Sequence, residues 1–137
     1  YVTAMEELMA QLEERDEEVD WIITATGSGG TQGGMAVGAR AHGFGGRILG
    51  ISVSRNADQT KQRLAQVAND TSTHLGLDHD FAADEFNVND DFLGGGYELD
   101  ADPVAAAMNR LADCLSRLTG QPASLTPRAW ASHGGFT

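Results

Sequence analysis

Basic residues are scarce in this chain. Nine Lys and Arg face twenty Asp and Glu, for a formal net charge of −11, and the single lysine is Lys61. A nucleic-acid partner needs basic patches to meet its phosphate backbone, and an anionic membrane surface needs them too, so neither is expected. Cysteine is nearly absent: Cys114 stands alone, which excludes an internal disulfide and leaves the cytoplasm as the expected compartment. No apolar run approaches the roughly 20 residues of a membrane-spanning helix, and the acidic start lacks a signal peptide's basic and apolar regions. With 137 residues, one compact domain is expected, burying about two-thirds of its unfolded surface.

Glycine is what the chain has in excess, and its placement carries the chemistry. The apolar run Trp21-Ile22-Ile23-Thr24-Ala25-Thr26 ends in Gly27-Ser28-Gly29-Gly30-Thr31-Gln32-Gly33-Gly34, where a helix begins. Glycines let the backbone turn tightly and bring amide N–H groups against an anion, and a helix start adds unpaired donors and the positive end of its dipole. Ser28 and Thr31 can add hydroxyls. Charge-assisted hydrogen bonds to a phosphate are worth about 1.5–3 kcal/mol each, so a handful holds a ligand without any Lys or Arg. The net negative charge does not oppose this, because solvent screens charges beyond roughly 8 Å whereas the cradle acts at contact.

Two phosphate-binding patterns are excluded by position. A dinucleotide fingerprint starting at Gly27 requires glycine where Gln32 stands, and the strand Ile48–Val53 is followed by Ser54 and Arg55 rather than by a ribose-binding acid. The nucleoside-triphosphate loop requires a Gly-Lys pair at the helix start, and Lys61 lies far downstream. A small phosphate monoester remains. So does a serine nucleophile on a sharp turn, since Thr26-Gly27-Ser28-Gly29-Gly30 approximates the hydrolase elbow and Asp91 and His133 follow in that fold's order. Glycine-rich strand-to-helix turns also occur without any ligand.

Periodicity supplies the frame. Val2, Met5, Leu8, Met9 and Leu12 recur at helical spacing; a strand over Trp21–Thr26 follows, then a helix from Thr31 to Ala41, a strand Ile48–Val53 and a helix Ala57–Leu75. A short strand at Glu85–Val88 and a helix from Asp102, capped by its own carboxylate with Pro103 at the first position, to Leu118 complete the chain. Strand, helix, strand implies a right-handed crossover and hence an open, mostly parallel sheet, with ligands beyond the carboxyl ends of its strands. The Gly27 turn and Arg55 share that edge. Arg55 there reads as a surface residue or as a contact for a substrate carboxylate. Lys61 reads as a solvated helix residue. His74, Asp78, His79 and Asp80 lack the ligand spacing of a structural metal site, and Cys114, on the stripe Met108, Leu111, Leu115 and Leu118, is expected to be a buried, inert thiol.

The segment Thr26 to Gly38 resembles the phosphate-binding turn and helix of D-cysteine desulfhydrase and 1-aminocyclopropane-1-carboxylate deaminase, pyridoxal-phosphate enzymes of the tryptophan-synthase-β-like fold. Tyr1-Val2, Gly50 to Arg55, and Asp90-Asp91-Phe92 before Gly96-Tyr97 follow in the family's order. The resemblance implies a partial fold type II cofactor domain over residues 1–118, with 119–137 a divergent tail. It implies pyridoxal 5'-phosphate held by Gly27, Ser28, Gly29, Gly30 and Thr31, a small amino-acid substrate, and Tyr97 against substrate and cofactor; equally, a tyrosine at a loop end anchors by packing. The family's Schiff-base lysine belongs to a part upstream of Tyr1, so the chain is expected to be a central fragment that is inactive alone. A homodimeric parent and a self-associating fragment are the expected assemblies. A non-catalytic α/β phosphate-binding module is the alternative.

Overall fold

A computed structural model describes residues 1–93, 102–120 and 122. The chain divides into two units, Tyr1–Asp91 and Phe92–Thr137. In the first, helix α1 (Val2–Arg15), strand β1 (Trp21–Thr26), helix α2 (Gly30–His42), strand β2 (Arg47–Ser52), helix α3 (Ala57–His74), a single 3-10 turn (Ala83–Glu85) and strand β3 (Asn87–Asn89) follow one another. In the second, helix α4 spans Asp102–Thr119.

The sheet is parallel throughout, in the order β1-β2-β3. Thr24 lies opposite Gly50, and Gly50 opposite Val88, so these three share one face. That face is covered by helices. A Cβ placed on Gly50 would lie 2.0 Å from Gln32 Oε1 of α2, and Val88 packs against the core cluster of Val37, Leu64, Ala68, Phe81 and Phe86. Alternation sends Trp21, Ile23, Leu49 and Ile51 to the opposite face, where Ile23 is 66% exposed. Arg47 stacks over Trp21 there, 5.3 Å from the ring.

Helices α2, α3 and α4 form within a residue of the ranges expected. Asn56 caps α3 by accepting from Gln59 N–H at 2.9 Å, and Leu64 and Ala68 bury the inner face. Helix α2 is unusual in packing through glycines. A Cβ on Gly38 would meet Met5 Cβ at 2.7 Å and the Val2 carbonyl at 2.8 Å, and one on Gly33 would meet Val67 at 2.9 Å. The two helices flanking α2 therefore approach it as closely as backbone allows.

Several boundaries differ from the sequence reading by a residue or two. Helix α2 starts at Gly30, one residue early, because Gly29 takes the cap position with a φ of 89°. Strand β2 begins and ends one residue early. The short strand begins at Asn87, since the Glu85 carboxylate turns back to accept from Ala82 N–H at 2.7 Å and closes the 3-10 turn. Cys114 is a correction: it is exposed, because helical spacing groups it with Leu111 and Leu118, which are themselves 53% and 78% exposed.

Candidate functional site

Strand β1 delivers the glycine turn to the carboxyl edge of the sheet. Pairing with β2 continues one step past the strand, where Val53 N–H donates to Thr26 O at 3.1 Å. The chain then turns through Gly27 and Ser28, and Gly29 supplies the left-handed conformation that only glycine adopts without strain. The first bond of α2 runs from Gly33 N–H to Gly29 O at 2.8 Å. The N–H groups of Gly30, Thr31 and Gln32 precede it and have no carbonyl one turn back. Ser28 and Gly30 are exposed and Thr31 half-buried, whereas Gly29 and Gln32 are buried, so the turn opens to a ligand at Ser28, Gly30 and Thr31. The Ser28 hydroxyl lies 3.5 Å from Gly30 N, a long contact.

Two arginines hold the carbonyls of this turn. Arg55 donates through Nη1 to Gly27 O at 2.7 Å, and Arg63 through Nε to Ser28 O at 3.1 Å. Arg55 is itself held: Ser52 Oγ donates to its carbonyl at 2.6 Å and stands 3.2 Å from Thr60 Oγ1. The start of α3 beside it is tied to the end of β3, where Asp90 Oδ2 accepts from Ala57 N–H at 2.6 Å. Arg63 was not legible as a site residue, since no spacing rule links positions 28 and 63. Arg55 was placed on the right edge, but the group it meets is a backbone carbonyl.

Beneath the turn lies a buried polar pair. Gln32 is 1% and Thr26 2% exposed. Gln32 Nε2 donates to Asn87 O at 3.0 Å, while Gln32 Oε1 and Thr26 Oγ1 have no hydrogen-bond partner among the described residues. Gly27 sits tightly over Val53, whose Cγ2 would be 3.1 Å from an added Cβ; Gly30 has room, with Ser28 Oγ at 3.8 Å the nearest atom.

Other candidates are dispersed. Asp91 is engaged with Asn89 through both its backbone N–H and its carboxylate, whereas Tyr97 and His133 lie outside the described residues. Lys61 is half-buried on α3. Among the described residues no group of three His, Cys, Asp or Glu is placed to hold a metal, and none of the helices is long and apolar enough to cross a membrane. A cleft of about 720 Å³ opens at the opposite end of β1, floored by Met9, Leu12, Val19 and Phe44 and rimmed by Glu13 and Glu17. It does not include the turn. Contact chemistry, rather than enclosed volume, marks an anion cradle at a sheet edge.

Comparison with known proteins agrees with this geometry. The chain is 29% identical over 119 residues to a 1-aminocyclopropane-1-carboxylate deaminase of Burkholderia cenocepacia, covering 87% of this chain and 35% of that protein. Proteins of the same name from Methylobacterium nodulans and a Bradyrhizobium species are 35% identical over 92 residues and 34% over 97, covering 67% and 71% of this chain. The chain spans about a third of the length of these relatives, 27–35%. The sequence profile described as "Pyridoxal-phosphate dependent enzyme" matches residues 1–133. A parallel α/β sheet with a glycine turn feeding a helix, matched along nearly its whole length, thus belongs to the family of pyridoxal-phosphate dependent enzymes.

Proposed function

We propose that this chain forms the phosphate-holding part of a pyridoxal-phosphate enzyme acting on a small amino acid, with ring-opening deamination of 1-aminocyclopropane-1-carboxylate the leading reaction. The names of the relatives support that reaction. The Gly29-Gly30 pair and the Ser52 to Arg55 segment support β-elimination of the D-cysteine desulfhydrase type as the second reading. The observation that carries the proposal is the helix start at Gly30, reached through a left-handed Gly29, with two guanidiniums on the carbonyls of the turn.

The residues suit the group. Ser28, Gly29, Gly30 and Thr31 offer consecutive amides and two hydroxyls to a phosphate, and the missing side chain of Gly30 leaves space at the helix mouth. When bound, pyridoxal phosphate supplies an electron sink for the substrate's α-carbon. This chain's share is binding and orientation: the α2 terminus favours the dianion, and Gly27 seats the turn against Val53. Tyr97 is proposed to lie against the substrate. A homodimeric, cytoplasmic parent enzyme is proposed as well, and the 137-residue chain alone is proposed to bind without turnover, because Lys61 on α3 does not stand in for the family's Schiff-base lysine.

Equilibrium binding of pyridoxal phosphate to the chain tests this, with inorganic phosphate as competitor and Gly30→Asp as the variant. The carboxylate fits sterically but places negative charge in the cradle. Competition by phosphate, and loss of binding in a folded Gly30→Asp chain, are the expected results. Binding insensitive to both would place the cofactor elsewhere and overturn the reading.

A further inference from the structure

We infer that Arg55 and Arg63 are positioning residues that aim the amides of Ser28 and Gly29 at the phosphate, a role that rests on the phosphate reading above. In a trans peptide the C=O and the following N–H point in opposite directions. The carbonyl of Gly27 is fixed on Arg55, and the peptide it belongs to carries the N–H of Ser28. The carbonyl of Ser28 is fixed on Arg63, and its peptide carries the N–H of Gly29. Each oxygen held on its guanidinium turns the N–H of the same peptide away from that guanidinium, and on this proposal those two N–H groups join the donors of the helix start.

A glycine-rich turn would otherwise sample many orientations of these two peptides. The arginines supply the order that the glycines lack. Both come from the α3 side: Arg55 just before its cap and Arg63 on its second turn, beside Gly29, where an added Cβ would stand 3.5 Å from Arg63 Cγ. Two of only nine cationic side chains in a chain of net charge −11 are thus spent on one turn. Arg63 binds through Nε, a donor that lysine does not have. Arg63 Nη1 donates to Gln66 Oε1 at 3.0 Å, so the guanidinium is held at two points while its Nε meets the turn.

Nuclear magnetic resonance on the isotope-labelled chain reads the clamp and the site separately. In the ligand-free arm, Arg55→Ala is expected to move the Gly27 carbonyl resonance and Arg63→Ala that of Ser28. In the ligand arm, inorganic phosphate is titrated while the Ser28, Gly29, Gly30 and Thr31 amides are followed. Each alanine variant is expected to weaken phosphate about two- to fivefold, the range of exposed charged hydrogen bonds, and the pair about tenfold. Arg63→Lys, which keeps the charge but not the Nε donor, is expected to behave as Arg63→Ala. Arg47→Ala, which removes the same charge at the far end of the sheet, is expected to leave phosphate affinity unchanged.

Carbonyl resonances that stay in place in the alanine variants overturn the clamp. Full phosphate affinity in Arg63→Lys assigns the effect to charge and overturns it too. Wild-type amides that do not respond to phosphate overturn the phosphate reading and the positioning role with it, while the ligand-free arm still shows whether the two arginines hold the turn.

Discussion

Gln32, in the first turn of α2, donates Nε2–H to the carbonyl of Asn87 in β3 at 3.0 Å, passing over Gly50 of the central strand. One amide side chain thus fixes the start of the helix across the sheet. Its other end, Oε1, is buried without a partner among the described residues, so among them a neutral acceptor is tolerated but nothing stands ready to offset a charge. Gln32→Glu, nearly isosteric, tests that point: its protonated form keeps an O–H donor for Asn87 O, whereas its charged form loses that donor and adds an unbalanced charge. Burial disfavours the charged carboxylate and raises its value in the folded state. The variant is therefore expected to approach wild-type stability in acid and to lose stability as pH rises through the carboxylate range. Urea midpoints across pH measure it; a variant equally stable at all pH values would show that the pocket is wet.

Gly38 reports on how α1 meets α2. The atoms in its way are Met5 Cβ and the Val2 carbonyl, both set by the α1 backbone, so no change of rotamer relieves the clash. Gly38→Ala is expected to cost about 1–3 kcal/mol, the range for overpacking a tight contact. Gly45→Ala is the matched control, since nothing lies within 4 Å of its added Cβ, and it is expected to change stability by less than about 0.5 kcal/mol. Thermal unfolding of the two variants checks both. Equal melting temperatures would mean that α1 shifts freely and contributes little packing.

Local signals were legible in the sequence, and long-range ones were not. Strand β1 and the turn were plain because an apolar run ends abruptly in glycine, and α3 because Leu64, Val67 and Ala68 fall at helical spacing. The glycines beyond the turn had two readings that sequence does not separate: Gly27 to Gly30 shape the turn, whereas Gly33 and Gly38 make room for Val67 and Met5. The arginine clamp joins residues 28 and 35 apart in sequence, a distance over which no periodicity speaks. Glu85 was read as strand because its neighbours are; its carboxylate's bond to Ala82 N–H decides otherwise. Helical spacing likewise groups Cys114 with leucines, but spacing says which residues share a face and not whether that face is covered.

Glu85 also makes the acid stability of the first unit testable. Its Oε1 accepts from Ala82 N–H at 2.7 Å, and its Oε2 pairs with Arg40. Arg40 in turn donates to Asp80 O and lies over the Phe81 ring, 4.0 Å from its centre. The backbone bond from Ala82 above all holds the carboxyl below its usual 4.5; desolvation opposes it, and the hydrogen bond and charge of Arg40 add to the lowering. A folded-state value lower than the unfolded one stabilises the protein above 4.5, and that contribution is lost as pH falls through the lowered value. Because the carboxylate is 43% exposed, solvent screens the pair and its worth is about 0–1 kcal/mol. Glu85→Gln is expected to lower stability by that amount at near-neutral pH and to match wild type in acid, where the native carboxyl is protonated. Urea midpoints at the two extremes decide it: a deficit that persists unchanged in acid would assign the effect to the lost shape of the 3-10 turn and not to the charge.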